Sequence, residues 1–214
     1  LKQGERKSAE HAVLQQLGAR VAVHGFKPKP IGHSFYRDVP EGRWALHVSF
    51  IRHEADIDVT ADVAVRIEAI EQVANQCETG LTDAEKRRST TLGAELGTLV
   101  GRQPLRWTVT AVEDAAAVAD QIVRAFEEIG LPYLSSHSDV VSAYRVLAST
   151  AAADRLHSPI LGARCMRAIA AAYVLGRDSD LDQLIRRCEA QLTAEDDLYL
   201  PDFRALSENL SLRR

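Results

Sequence analysis

The sequence predicts an α+β fold in which an N-terminal helix covers an antiparallel sheet of about four strands, with an all-helical C-terminal half following. Three observations predict it. Apolar residues recur at helical spacing before residue 25, two adjacent stretches between residues 43 and 68 alternate apolar with polar, and strand signals vanish after residue 132.

The first helix is expected from about Glu5 to His24, where Ala9, Ala12, Val13, Leu17 and Val21 share one face and Gly25 follows as a C-terminal stop. The next stretch, GFKPKPIGHS, holds two prolines and two glycines and cannot continue a helix. His33 to Val39 reads as a short aromatic strand, Pro40-Glu41-Gly42 as a turn, and Arg43 to His53 as a second strand carrying Trp44, Leu46, Val48 and Phe50 on one parity. In EADIDVTADVAVRIE, Glu54–Glu68, the residues Ile57, Val59, Ala61, Val63, Val65 and Ile67 fall on one parity. Asp56, Asp58, Thr60, Asp62, Arg66 and Glu68 fall on the other, so the strand has one buried and one wet face. If the two apolar parities share a face, opposed residue numbers must add to an odd number. That sets His47 on the wet face opposite Thr60 or Asp62.

Helical spacing returns over Ile67–Cys77, and Thr82 with Glu85 forms a candidate capping box. The segment TTLGAELGTLVGRQP, with Gly93, Gly97 and Gly101, is expected as a weak helix or loosely packed connector. Arg106–Thr110 is expected as the fourth strand. The helix after it carries Ala115, Val118, Ala119, Ile122, Val123, Phe126 and Ile129, and is expected to stop at Gly130 and Pro132. Asp139–Ala152, Ile160–Leu175 and Leu181–Leu192 read as further helices, and a short one closes the chain. The change of character near residue 132 divides the chain into a 1–132 sheet domain and a 133–214 helical region. That region either stands alone or packs onto the first.

Composition narrows the function. Of 214 residues, 46% are hydrophobic and 26% charged, the balance of an ordinary globular protein. A net charge of -4 gives no general attraction to polyanions, so nucleic acid is not an expected partner. No apolar run approaches the roughly 20 residues that span a bilayer, and no membrane partner is expected. The opening LKQGERKSAEHAVLQQL lacks the apolar core of a secretory signal. It begins on leucine rather than methionine, which leaves open whether a segment precedes it. Cys77, Cys165 and Cys188 are widely spaced and form no CxxC pair, which predicts reduced thiols and a cytoplasmic location. No cofactor is expected.

Carboxylates two apart on a strand project to one face, about 6.5 to 7 Å apart, so Asp56, Asp58 and Asp62 are either a solvated strand face, an acidic binding surface or ligands of a hard cation. Asp58 and Asp62 are the metal candidates. His47 is the candidate for proton transfer, with Asp62 in a position to orient it, although no nucleophile in a GxSxG-type turn accompanies it. Lys27, Lys29 and Arg37 surround a proline-stiffened loop suited to an anion, but the Gly-rich geometry of a nucleotide cradle is missing. In HSD, His137–Asp139, the serine or aspartate is better suited to capping the next helix. Tyr36 falls on the parity opposite Phe35 and is expected on the wet face beside Arg37 or Arg43, a composition typical of binding hot spots.

The turn Gly25-Phe26-Lys27, the strand residues Phe35-Tyr36-Arg37, the strand residue Trp107 and the segment Leu131-Pro132 together resemble a bacterial domain-of-unknown-function family. The resemblance spans about residues 10 to 140. It implies an α+β fold and a small intracellular protein, and it supplies no catalytic residues. Association with toxin-neutralising loci is analogy at the level of the fold. The leading expectation is a non-enzymatic protein-binding module, of immunity or regulatory type, whose acidic sheet face carrying Asp56, Asp58 and Asp62 meets a basic partner. The alternatives are a metal-assisted hydrolase built on the same aspartates and His47, and a homodimeric scaffold pairing through the Ile160–Leu192 helices.

Overall fold

The computed structural model describes residues 2–29 and 33–213, so Pro30, Ile31 and Gly32 of the KPKPIGH loop lie outside it. The fold is α+β, with an antiparallel sheet preceding a largely helical half. The chain forms two compact units, residues 1–64 with 94–135, and residues 65–93 with 136–214.

The first unit opens on α1 (Gln3–Val21), extended by a 3-10 turn to His24 and stopped by Gly25 at φ 80°. Its stripe of Ala9, Val13, Leu17 and Val21 is fully buried, as the spacing predicts. The sheet follows: β1 (Lys27–Pro28), β2 (Ser34–Val39), β3 (Gly42–Arg52), β4 (Ile57–Ile67) and β5 (Leu92–Glu95) in that spatial order, with β6 (Trp107–Val109) also paired to β4. Phe35 of β2 lies opposite Leu46 of β3, both buried, and Phe35 packs against Gly18 of α1, where a methyl group would sit 3.3 Å from the ring. On β4 the residues Ile57, Val59, Ala61 and Val63 are all inaccessible to solvent.

The β3–β4 hairpin closes with a hydrogen bond from His53 N to Asp56 O at 3.0 Å. Regular pairing carried back from that bond along two strands of 11 residues matches Leu46 with Val63, Val48 with Ala61, and His47 with Asp62. Helix α1 fastens the same hairpin. The Arg6 guanidinium donates to the carbonyls of His53 and Glu54 at 2.6 and 2.8 Å, and Arg52 grips the Glu10 carboxylate at 2.6 and 2.9 Å.

Two expectations need correction. The glycine-bearing segment after residue 90 is a strand, β5, followed by the short helix α4 (Leu96–Leu99). An available edge of β4 offers backbone pairing that outweighs the weak strand propensity of LGAE. Helix α5 (Ala115–Ala125) does not stop at Gly130 and Pro132. It runs through one π-helical turn, Phe126–Gly130, into α6 (Leu131–Ser136). The wider turn changes the bonding pattern just where proline withholds its N–H. Gly130 there lies against Phe126, Val63 and Leu96, leaving no room for a side chain.

The second unit gathers α2 (Glu68–Ala74), α3 (Asp83–Lys86), α7 (Val140–Ala148), α8 (Leu161–Val174), α9 (Asp178–Ala194) and α10 (Leu200–Ser211). The expected caps form: Thr82 and Glu85 bond reciprocally, and Asp139 accepts from Ser142 N at 2.9 Å. Helix α8 is buried almost all round, and Gly162 fits because a Cβ would fall 2.2 Å from the Cβ of Tyr199. The polar centre is Glu71, wholly buried. Arg167 Nε reaches it at 2.7 Å, Arg66 Nη1 lies 3.7 Å away, and Thr91 Oγ1 and Asn75 Nδ2 donate at 3.0 and 3.3 Å. Burial alone pushes this carboxyl upward, but the two arginines and the hydroxyl donors outweigh it and hold it below the usual carboxylate range.

Replacing Glu71 with alanine leaves the largely buried Arg167 guanidinium without its anion, while Arg66 keeps Glu68, so Glu71→Ala is expected to cost about 3–5 kcal/mol in urea unfolding at pH 7. Because the folded carboxyl titrates below its unfolded value near 4.3, the wild-type advantage is present above that pH. It should shrink as the pH falls through the lowered folded value. A loss below about 1 kcal/mol at pH 7 contradicts the assignment.

Candidate functional site

The outer face of the first unit's sheet collects most of the residues singled out by their chemistry. Since Phe35 and Leu46 point inward, the alternate positions Ser34, Tyr36 and Asp38 of β2 and Arg43, Ala45 and His47 of β3 point outward, where the pairs Ser34–His47, Tyr36–Ala45 and Asp38–Arg43 are opposed. Asp58, Thr60 and Asp62 take the same face of β4.

Tyr36 is half-buried, as its parity predicts. The Arg43 guanidinium lies 4.4 Å from its ring centroid, Lys29 Nζ lies 5.7 Å away, and the His47 ring meets it edge-on at 5.8 Å. Arg37 is parted from Tyr36 by the pleat. It stacks on Trp44 at 4.9 Å on the opposite face, and its aliphatic chain runs beside Gly25. His47 turns toward β2, where its Nδ1 is 2.7 Å from Ser34 Oγ. Burial, reinforced by the positive charge of Arg43, pushes its imidazole below the ordinary range and keeps it neutral. The structure thus brings a hydroxyl to His47, yet no carboxylate is hydrogen-bonded to its ring among the described residues.

The three aspartates do not form one array. Asp58 and Asp62 stand four residues apart on one strand, about 13 Å along it, too far to share an ion. Asp56 and Asp58 instead converge with His53, their ligand-type atoms lying within 4.8 Å of one another. Asp58 is already engaged: Thr108 Oγ1 donates at 2.8 Å, His53 Nε2 lies at 3.2 Å and Arg106 Nη1 at 3.5 Å. The Thr108 hydroxyl, followed by His53 and Arg106, holds its carboxyl below the usual range.

Asp62 has a different environment. It is half-buried and accepts no hydrogen bond among the described residues. Burial first, and then the negative charge of Glu95, push its carboxyl upward. Glu95 itself is committed to the backbone, accepting from Thr98 N at 2.9 Å and Leu105 N at 2.8 Å.

Sequence reasoning missed His53, Glu95, Arg106 and Thr108. His53 carried a signal, standing at the hairpin turn five residues before Asp58. Arg106 and Thr108 arrive through the pairing of β6 with β4, which matches Asp58 with Thr108 across a separation that no local pattern encodes.

Over the Ile160–Leu192 helices the exposed large apolar residue is Ile160. Among the described residues no helix is long and apolar enough to cross a membrane. Comparisons with protein-family models, curated proteins and solved structures find no match for this chain.

A cation entering the cluster of His53, Asp56 and Asp58 has to compete with Arg106, which already supplies positive charge there. Thermal-shift titrations with Mg²⁺, Mn²⁺ and Ca²⁺ are therefore expected to leave the unfolding midpoint in place. A saturable rise that Asp58→Asn abolishes would place an ion at this cluster and favour the metal-assisted hydrolase.

Proposed function

We propose that the chain is a non-enzymatic protein-binding module, of immunity or regulatory type, that meets a basic partner through the outer face of the first unit's sheet. The observation that carries this reading is Asp62. A half-buried carboxyl with no hydrogen-bond donor among the described residues, beside a second carboxylate, is costly in the free protein. A lysine or arginine of a partner supplies the missing donor and relieves the repulsion from Glu95.

Tyr36, clasped by Arg43 and Lys29 on the same face, adds a large ring at little conformational cost, the kind of residue that anchors an interface. The acidic character of the surface rests on Asp62 and Glu95, since Asp58 is neutralised within the chain. The alternative, a metal-assisted hydrolase using the aspartates of this strand, draws on the approach of Asp56 and Asp58 to His53 and needs an ion to enter beside Arg106.

Affinity capture with wild type and with Asp62→Lys as baits tests the reading, followed by titration of the purified captured protein. The expected partner carries a basic surface, binds more weakly as salt rises, and loses more than about tenfold in affinity for Asp62→Lys, with a smaller loss for Tyr36→Ala. The control Glu113→Lys, on an exposed turn, should bind as wild type does. Equal binding by wild type and Asp62→Lys, or no specific capture by wild type, contradicts the proposal.

A further inference from the structure

The second unit holds a cavity of about 170 Å³ whose walls come from α7, α8, α9 and the segment between α7 and α8. Its floor carries Cys165 of α8 and Cys188 of α9, free thiols exposed by only 2% and 3%. Its rim carries the exposed residues Thr150, Arg155 and Glu195.

Three arginines line this cavity. Arg164, buried, donates to the carbonyls of Asp154, Val146 and Ser149 at 2.6, 2.6 and 3.0 Å, and Arg187 donates to the carbonyl of Ala148 at 2.6 Å. Neither these two nor Arg155 is in an ion pair among the described residues. Backbone carbonyls satisfy the donors of Arg164 without cancelling its full charge. Two thiols packed only to fill volume have no use for such a field.

The field has a chemical consequence. Cys165 and Cys188 line the same cavity, and the neighbouring Cys165 thiol, together with the charges of Arg187 and Arg164, draws the Cys188 thiol below the ordinary thiol range against the effect of burial. The neighbouring Cys188, with burial, pushes Cys165 upward. Of the two thiols, Cys188 is the more acidic. A nucleophilic sulfur, a neighbouring thiol and a small opening lined by cations come together in one place.

We propose that this cavity is a thiol redox site in which Cys188 reduces a small hydroperoxide and Cys165 closes the resulting disulfide. The Cys188 thiolate attacks the terminal peroxide oxygen, so that a sulfur–oxygen bond forms, the oxygen–oxygen bond breaks, and an alcohol or water leaves with a proton. Cys165 then attacks the sulfur of the Cys188 sulfenic acid, forming the disulfide and releasing water. Two electrons pass from the two thiols to the peroxide, and an added dithiol returns the pair to its reduced form by exchange. A cavity of this size suits hydrogen peroxide or a short alkyl hydroperoxide and bars a protein disulfide. Arg164 and Arg187 act there through their charge, which favours the anion that develops on the departing oxygen.

Cys77 serves as an internal control. It is partly exposed, lies outside the cavity lining and accepts a hydrogen bond from Asn209 Nδ2 at 3.1 Å. The native chain is to be treated with hydrogen peroxide and its thiols mapped by peptide mass spectrometry without reduction. The expected result is a Cys165–Cys188 disulfide forming at least about tenfold faster than Cys77 is oxidised. In Cys165→Ser the sulfenic acid should persist on Cys188 and react with dimedone. Arg187→Gln, which leaves both thiols in place, should slow the disulfide about tenfold while the circular dichroism stays unchanged. Oxidation of Cys77 first, or a Cys165–Cys188 pair that stays reduced until denaturant is added, overturns the proposal. Wild type alone decides between these outcomes should either variant fail to fold.

Discussion

The period-two pattern of β4 is the constraint from which the first unit follows. With Ile57, Val59, Ala61 and Val63 all closed to solvent, a slip of one residue would bury Asp58 and Asp62 and expose the four apolar side chains. Such an odd slip forfeits burial worth roughly 1.5–3 kcal/mol for each large apolar side chain. The polar contacts of α1 reinforce the same choice, since Arg6 and Glu10 hold the hairpin at its turn, where fraying would begin. Beyond Val63 the alternation ends, and Ala64, Val65, Arg66 and Ile67 are all buried.

Everything on the outer face inherits its position from that register. Asp58 falls opposite Thr108 because β6 pairs with the first turn-proximal residues of β4, and it is neutralised there. Asp62, four residues further along the strand, falls beside Glu95, whose own oxygens already serve the backbone around α4. Two aspartates of one alternating strand thus acquire opposite electrostatics. The difference comes from what the neighbouring strands present to each.

The regular elements were legible in the sequence because local physics decides them. The stripe of α1, its stop at Gly25, the turn at Pro40–Gly42, the capping box at Thr82 and the cap at Asp139 all rest on residues within a few positions of each other. Strand β5 was not legible, since LGAE has little strand character of its own and depends on the edge it joins. The passage of the helix through Gly130 and Pro132 was hidden for a similar reason. Punctuation that ends an isolated helix is tolerated where packing against Val63 and Leu96 rewards a π-helical turn. The parity of Tyr36, His47 and the aspartates was readable, but their partners were not. Arg106, Thr108 and Glu95 reach the face through pairings of distant segments, and the joining of Cys165 with Cys188 depends on how two helices pack.

The proposed binding role stands most directly on the ionisation of Asp62, because an unpaired, half-buried carboxyl beside Glu95 is what a basic partner would complete. Titration of its side-chain carboxyl by ¹³C NMR, assigned by comparison with Asp62→Asn, measures this in the free protein. A midpoint clearly above the ordinary aspartate value near 3.9 is the predicted result. A midpoint at or below that value would mean that the carboxylate is already solvated or paired, and would contradict the account of the outer face as a surface awaiting a cation.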